Sequence, residues 1–581
     1  MDLLLAYGDD GSPILDHGAD ASTAAAVATP ASRRGERFLA DITANANDLA
    51  RQGWAVVVPA GPEGARLEAL VQRLVAVRAE DQGADVLTLR VPPGMDSAAA
   101  TEWKTGVYPT LYGEDETRRP RYLLILGDLD RVSLDTQQVL AQDGITGRLA
   151  CATDDGYGAY VDKLLRWQRA PSPHDRARAL FYTVHDGTSA TAVGHAKLIQ
   201  PCHERCVRAA RDKPRVFPAS TVESRGAHTP DPDELLDLAA ARHPSVLFSM
   251  SHGMGPPRRR RWSPAEAREH QGAMSFGAEG ALAADDLASA PFLPGGLWIY
   301  FACFGAGTPR TSAYHHWLEM LAQQGMADLG PVNATLRGLD QGGGFVSGLG
   351  KAALANPNGP LAVLSHIDLA WSYSFEELRV GGAEDSRRVS GSNRSLNFFQ
   401  LMTKLVAGTR AGAASLSLKL RLGAVSAELN AHYDRCKRAG EVEGGTPEDL
   451  VALGNLWMLH QDLLGFTLLG DPAVRLPLAS AGAGAPERSS AAVSLPDASS
   501  AAVSLPDASR ADAAAREVDP AALDGLERAA LTVAAGESPG VVAAQLGVPR
   551  SEIAEAAEAY RDAGRAALSA LLGRRDPKDR A

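Results

Sequence analysis

The sequence predicts an α/β chain whose central sheet is mostly parallel and covered by helices, and three observations carry that reading. Short apolar runs recur along the chain, each closes in turn chemistry, and segments of helical periodicity separate them. The runs are continuous in apolar character rather than alternating, the pattern of strands buried on both faces. Hydrophobic residues make up 45% of 581, ample for a large core, and at about 150 residues per domain the length allows roughly two to four domains.

In chain order, the four apolar residues Leu3-Leu4-Leu5-Ala6 lack the basic flank and the length of a secretory signal. Residues 21–34, rich in Ala, Ser and Thr, read as a loose arm. Residues 54–58 and 122–126 are strand-like runs ending in Pro and in Gly-Asp, with a helical pattern over 63–78 between them. Further strand-like runs lie at 179–184, 246–250, 297–302 and 361–364. Helices follow at 396–406, 411–439 and 450–464, then a short tail at 468–473. Residues 1–119 form an α/β region within or ahead of the main domain, which spans 120–477.

Beyond it the composition changes. The nine residues 491–499 recur unchanged at 501–509 in an Ala/Ser/Pro tract, too few copies for a solenoid, so 478–516 read as a linker. As a flexible chain it reaches about 31–37 Å. Residues 517–574 read as a small all-α module with helices at 521–534, 539–546 and 551–563.

Charge and cysteine usage narrow the function classes. With 58 Lys and Arg against 70 Asp and Glu, the net charge of −12 argues against general nucleic-acid binding. Residues 541–560 have the outline of a helix-turn-helix. Its second helix, however, carries Glu552, Glu555, Glu558 and Asp562, a face that phosphates repel, so a protein-docking role fits better. Five cysteines cannot make a disulfide framework in a chain this long, and a reducing, cytoplasmic setting is expected. No run of eighteen apolar residues offers a membrane span. No cofactor or metal is expected. Cys202, His203 and Cys206 supply only three soft ligands locally.

Open α/β sheets place their sites at the carboxyl ends of strands. The residues following four of the runs are His185-Asp186-Gly187, Ser251-His252-Gly253, Cys303-Phe304-Gly305 and Ser365-His366-Ile367-Asp368. A thiol needs a base to become a thiolate near neutral pH, and imidazole is the usual one. Taken alone, Cys303 reads as a buried small hydrophobe. Paired with His252, 51 residues earlier and also at a strand end, it reads as half of a catalytic dyad.

These segments resemble the caspase-like clan of cysteine peptidases, in its gingipain-type and CHAT-type bacterial branches. The likeness is carried by residues 248–255, 271–273, 284–287 and 301–309, and more loosely by 362–371 and 469–473. Gly127-Asp128 and Gly147-Arg148-Leu149 resemble the gingipain-type lead-in. The resemblance implies a caspase-like αβα sandwich and a cysteine endopeptidase acting on a protein substrate. Cys303 would be nucleophile, His252 general base, and the N–H groups of Gly253 and Cys303 the oxyanion hole. No third catalytic member stands out.

The resemblance also gives Asp186 as reader of a basic side chain before the scissile bond, with Trp371 as the aromatic wall. The alternative is an apolar pocket in which Asp186 merely caps a loop. Relatives of this layout belong to bacterial defence systems in which a recruited activator switches on a protease that cleaves an effector such as a gasdermin. Residues 517–574 would dock that activator. Two rivals stay open: a catalytically silent scaffold of the same fold, and a DNA-binding regulator using the C-terminal module. The run Arg258-Arg259-Arg260-Arg261 reads as a solvated loop, an autoprocessing site or a docking loop.

Overall fold

The computed structural model describes residues 3–15, 18, 45–112, 119–226, 230–325, 329–339, 343–380, 389–438 and 447–479. The chain divides into two units, 1–487 and 488–581, and the described residues all belong to the first. The loose arm at 21–34, the duplicated tract and the module at 517–574 lie outside the described residues.

A ten-stranded sheet organises the first unit. Its strands are β2 (Trp54–Pro59), β3 (Leu87–Val91), β4 (Tyr122–Leu126), β5 (Ile145–Leu149), β6 (Ala177–Thr183), β7 (Ala219–Arg225), β8 (Ser245–Met250), β11 (Leu297–Phe301), β12 (Ala362–His366) and β13 (Phe466–Leu469). Outside it lie β1 (Leu5–Tyr7), β9 (His252–Gly255) and β10 (Met274–Ser275). The order across the sheet is β3-β2-β4-β5-β13-β12-β11-β8-β6-β7. Every pairing is parallel except that of β13 with β12. The sheet is therefore two parallel halves of opposite direction joined at β13. The six apolar runs of the sequence are six of these strands, and most are wholly buried, as continuous apolar character requires.

Because β6, β8, β11 and β12 are mutually parallel, their carboxyl ends share one edge of one half. That edge brings Asp186, His252, Cys303 and Asp368 toward one another.

The remaining strands carried weaker signals. β7 reads Ala-Ser-Thr-Val-Glu-Ser-Arg and lies at the sheet edge, half open to solvent, where no apolar run is needed. β13 occupies the segment expected as a tail. The helical pattern at 63–78 becomes two helices, Pro62–Leu70 and Gln72–Gln82, broken at Val71. Residues 45–112 contribute β2 and β3 to the same sheet rather than forming a layer of their own.

Buried charge fastens the end of β13 to the half that holds β2, β4 and β5. The Asp471 carboxylate accepts from Trp54 Nε1 (2.9 Å), Arg78 Nε (2.9 Å), Arg78 Nη2 (2.7 Å) and the Ala473 N–H (2.9 Å). Arg148, wholly buried, donates to Gln137 Oε1 and to the carbonyls of Gly127 and Val132. A side chain at Gly147 would meet the Gly470 carbonyl at 2.4 Å. The Gly127, Gly147-Arg148 and Gly470-Asp471 motifs thus hold strands together. Among the described residues, no helix is long and apolar enough to cross a membrane.

Candidate active site

Two backbones approach unusually closely at the shared edge. The chain leaves β8 through Ser251, whose N–H donates to the Phe301 carbonyl (3.2 Å), and enters β9 at His252. It leaves β11 through Ala302 and turns sharply after Cys303. Phe304 has φ +57°, a left-handed conformation that side chains rarely adopt, and its N–H donates to the Asp368 carbonyl (3.0 Å). A Cβ at Gly253 would lie 1.9 Å from the Cys303 carbonyl oxygen, so only glycine lets the two segments meet.

Their amides converge on a single atom. The N–H groups of Gly253 (2.8 Å) and Cys303 (3.3 Å) both donate to the Leu4 carbonyl oxygen. Two donors aimed at one carbonyl oxygen beside a thiol is the arrangement of an oxyanion hole. The Sγ of Cys303 accepts from the Ala370 N–H (3.2 Å) and faces the Ala370 carbonyl (3.6 Å). Asp368 holds that loop still, accepting from Ser312 Oγ (2.8 Å), the Ala313 N–H (2.9 Å) and the Leu369 N–H (2.7 Å).

His252 is fully buried. Its Nε2 lies 2.9 Å from Thr188 Oγ1 and 3.6 Å from Asp186 Oδ2. Thr188 Oγ1 donates to Asp186 Oδ1 (2.8 Å), which also accepts from the Thr188 N–H (3.1 Å) and Thr191 Oγ1 (2.7 Å). A hydroxyl has one proton, so with Thr188 donating to the carboxylate it accepts from Nε2–H. Nδ1 is then the basic nitrogen. Nδ1 is buried with no partner in hydrogen-bonding geometry, and the Leu4 backbone close to the ring favours its protonated form. Burial pushes the imidazole pKa down, opposed by the charge of Asp186. Burial pushes the Cys303 thiol far up, partly offset by the Ala370 amide. Burial thus disfavours the charged form of both partners.

Asp186 has a side chain 1% exposed; its Oδ1 accepts from three donors, while Oδ2, 3.6 Å from His252 Nε2, has no hydrogen-bond partner. The three donors on Oδ1 are the contacts of a loop cap, and the 3.6 Å approach of Oδ2 to the imidazole is a contact the sequence did not reveal. The signal of Asp186 was its strand-end position on the same edge; Thr188 carried none. Trp371 is wholly buried, packs on Tyr314 (5.8 Å between rings) and forms an antiparallel bridge with Leu3. It therefore lies beside the segment that carries Leu4.

Asp286 accepts from the Ala283 N–H (2.8 Å) as a helix cap. Cys202 and Cys206 are buried free thiols on one helix. Among the described residues, no cluster of three or more His, Cys, Asp or Glu could hold a metal ion.

No protein-family model and no curated protein matches the chain. Among solved structures, it is similar to the crystal structure of the Arg-specific cysteine proteinase gingipain R (RGPB). Identity there is 11%, with a TM-score of 0.36 over 73% of this chain and 78% of that one. A structure described only as a protease overlaps at 13% identity and a TM-score of 0.41, over 74% and 80% of the two chains. The complex of the Porphyromonas gingivalis RgpB pro- and mature domains overlaps at 11% and 0.35, over 73% and 80%. Two of these three neighbours are gingipain cysteine proteinases. At such identities and scores, the functional reading rests on the site's own atoms.

Proposed function

We propose that this chain is a cysteine endopeptidase in which Cys303 attacks a peptide carbonyl and His252 moves the proton. The single observation carrying the reading is the pair of N–H groups, from Gly253 and Cys303, that meet on one carbonyl oxygen at the thiol. Nδ1 of His252 takes the Sγ proton, and the sulfur bonds to the carbonyl carbon. The resulting oxyanion is held by the two amides, each worth roughly 3 kcal/mol of transition-state stabilisation. The C–N bond breaks as the imidazolium returns its proton to the leaving amine, and water hydrolyses the thioester by the same route. Asp186 and Thr188 are positioning residues that fix Nε2–H and offset the charge forming on the ring.

The setting belongs to the same proposal and is supported by the resemblance alone. In that setting the enzyme is cytoplasmic, acts on a gasdermin-like effector in a defence or regulated-death pathway, and docks an activator through residues 517–574. Peptide hydrolysis by purified protein tests the chemistry. Cys303→Ala and His252→Ala should each abolish turnover, and the double variant should lose no more than either alone. Turnover surviving in the double variant would place the active site elsewhere.

A further inference from the structure

One segment in the site is explained by none of the steps above. Leu3, Leu4, Leu5 and Ala6 are at most 2% exposed, and their apolar side chains leave only backbone to make polar contacts. The segment changes partner at Leu4. Before that residue it runs antiparallel to the loop after β12, with Leu3 bridging Trp371 and the Leu4 N–H donating to the Ala370 carbonyl (3.5 Å). After it, β1 runs parallel to β9, pairing Leu5 with Gly253, Ala6 with Met254 and Tyr7 with Gly255.

An ordinary strand carbonyl takes one ladder donor, here the Gly253 N–H, and does not need a second from the amide of Cys303. An extended peptide awaiting attack does, and it needs backbone pairing on both sides of that carbonyl. Leu4 meets each requirement: its N–H is held, its carbonyl takes both hole donors, and its backbone lies beside His252. The segment is also fastened from outside. The Arg258 guanidinium stacks over the Tyr7 ring at 4.5 Å, and its Nη2 donates to Ser12 Oγ (2.7 Å) in the return strand of the 7–12 turn.

We propose that residues 3–7 occupy the cleft as a substrate does, with Leu4 in the position whose carbonyl is attacked. The site then takes extended peptides bearing leucine before the scissile bond, and it stays shut until this segment leaves. The proposal rests on the peptidase reading and replaces the basic side chain expected at that position with an apolar one. The filled cleft also accounts for a nucleophile as dry as Cys303.

The experiment compares full-length protein with three variants, Leu4→Asp, Arg258→Ala and deletion of residues 1–15. Two readouts are taken, the rate of Cys303 alkylation by iodoacetamide, followed by peptide mass mapping, and hydrolysis of peptides with leucine or arginine before the scissile bond. Alkylation should rise at least about tenfold in Leu4→Asp and in the deletion, and less in Arg258→Ala, which loosens only the fastening. Leucine peptides should be cleaved faster than arginine peptides in every opened variant. Should Leu4→Asp fail to fold, Arg258→Ala and the deletion carry the same comparison. Equal alkylation in all folded forms would overturn the occupancy, and preference for arginine would overturn the substrate class. Faster alkylation with no hydrolysis of any peptide would leave the occupancy standing and remove the peptidase reading.

Discussion

Gly253→Ala probes the oxyanion hole without replacing the nucleophile or the base. The added Cβ would sit 1.9 Å from the Cys303 carbonyl oxygen and 2.9 Å from its carbon, whereas real Cβ atoms keep beyond 3.0 Å. Both neighbours are backbone, so relief requires the two segments to part by about 1 Å or more. That stretches the 2.8 Å bond from the Gly253 N–H past hydrogen-bonding range. Losing one such donor costs about 2.7–4 kcal/mol in the transition state, or roughly 10²–10³ in kcat. The assay is steady-state hydrolysis of a leucine peptide in the Arg258→Ala background, where the fastening of residues 3–7 is loosened, with thermal melting of each protein alongside. The expected result is that loss in kcat with KM little changed. A folded Gly253→Ala protein retaining activity within about threefold of its parent would refute the assignment of this amide.

Asp186→Asn separates positioning from substrate recognition. It should lower kcat on the order of 10²-fold or more for every peptide, because the Nε2–H contact is weakened whatever the substrate. A loss confined to arginine and lysine peptides would restore the carboxylate to the specificity pocket. His460, buried in the helix Pro447–Gly465, has its pKa pushed down to about 4 by burial. Below its ordinary value of about 6.5 the unfolded chain binds a proton that the folded chain refuses, so stability present above that pH is lost as pH falls toward 4. The loss amounts to about 3 kcal/mol. His460→Leu should remove that share of the decline in urea-denaturation titrations between pH 6.5 and 4, and an unchanged profile would contradict it. His366 works in the opposite sense, because the hydrogen bond and charge of Asp462 override its burial and favour the protonated ring.

The placement of the candidate residues was legible in the sequence because two of them follow continuous apolar runs. Strands buried on both faces announce themselves by composition, and parallel pairing sends their ends to one edge. His252 and Cys303 are found that way, and Asp186 shares the edge. The hydrogen bonds of Asp186 were not legible, because the partners of its Oδ1, Thr188 and Thr191, are set by how the following helix begins. Apolar composition also says nothing of strand direction. The reversal at β13 depends on the path taken by the helices 411–438 and 447–465 before it. β1 was invisible for a different reason. Four apolar residues are too few to form a strand on their own, and this one exists because β9 and the loop before Trp371 complete its hydrogen bonds.

The central claim is that Cys303 is a nucleophile activated by His252 within this oxyanion hole. The most direct measurement is covalent capture by a peptidyl acyloxymethyl ketone carrying leucine next to the warhead, followed by mass mapping of all five cysteines. One adduct is expected, on Cys303, forming faster in Arg258→Ala and lost in His252→Ala. An adduct on another cysteine, or labelling of Cys303 that is indifferent to His252, would contradict it.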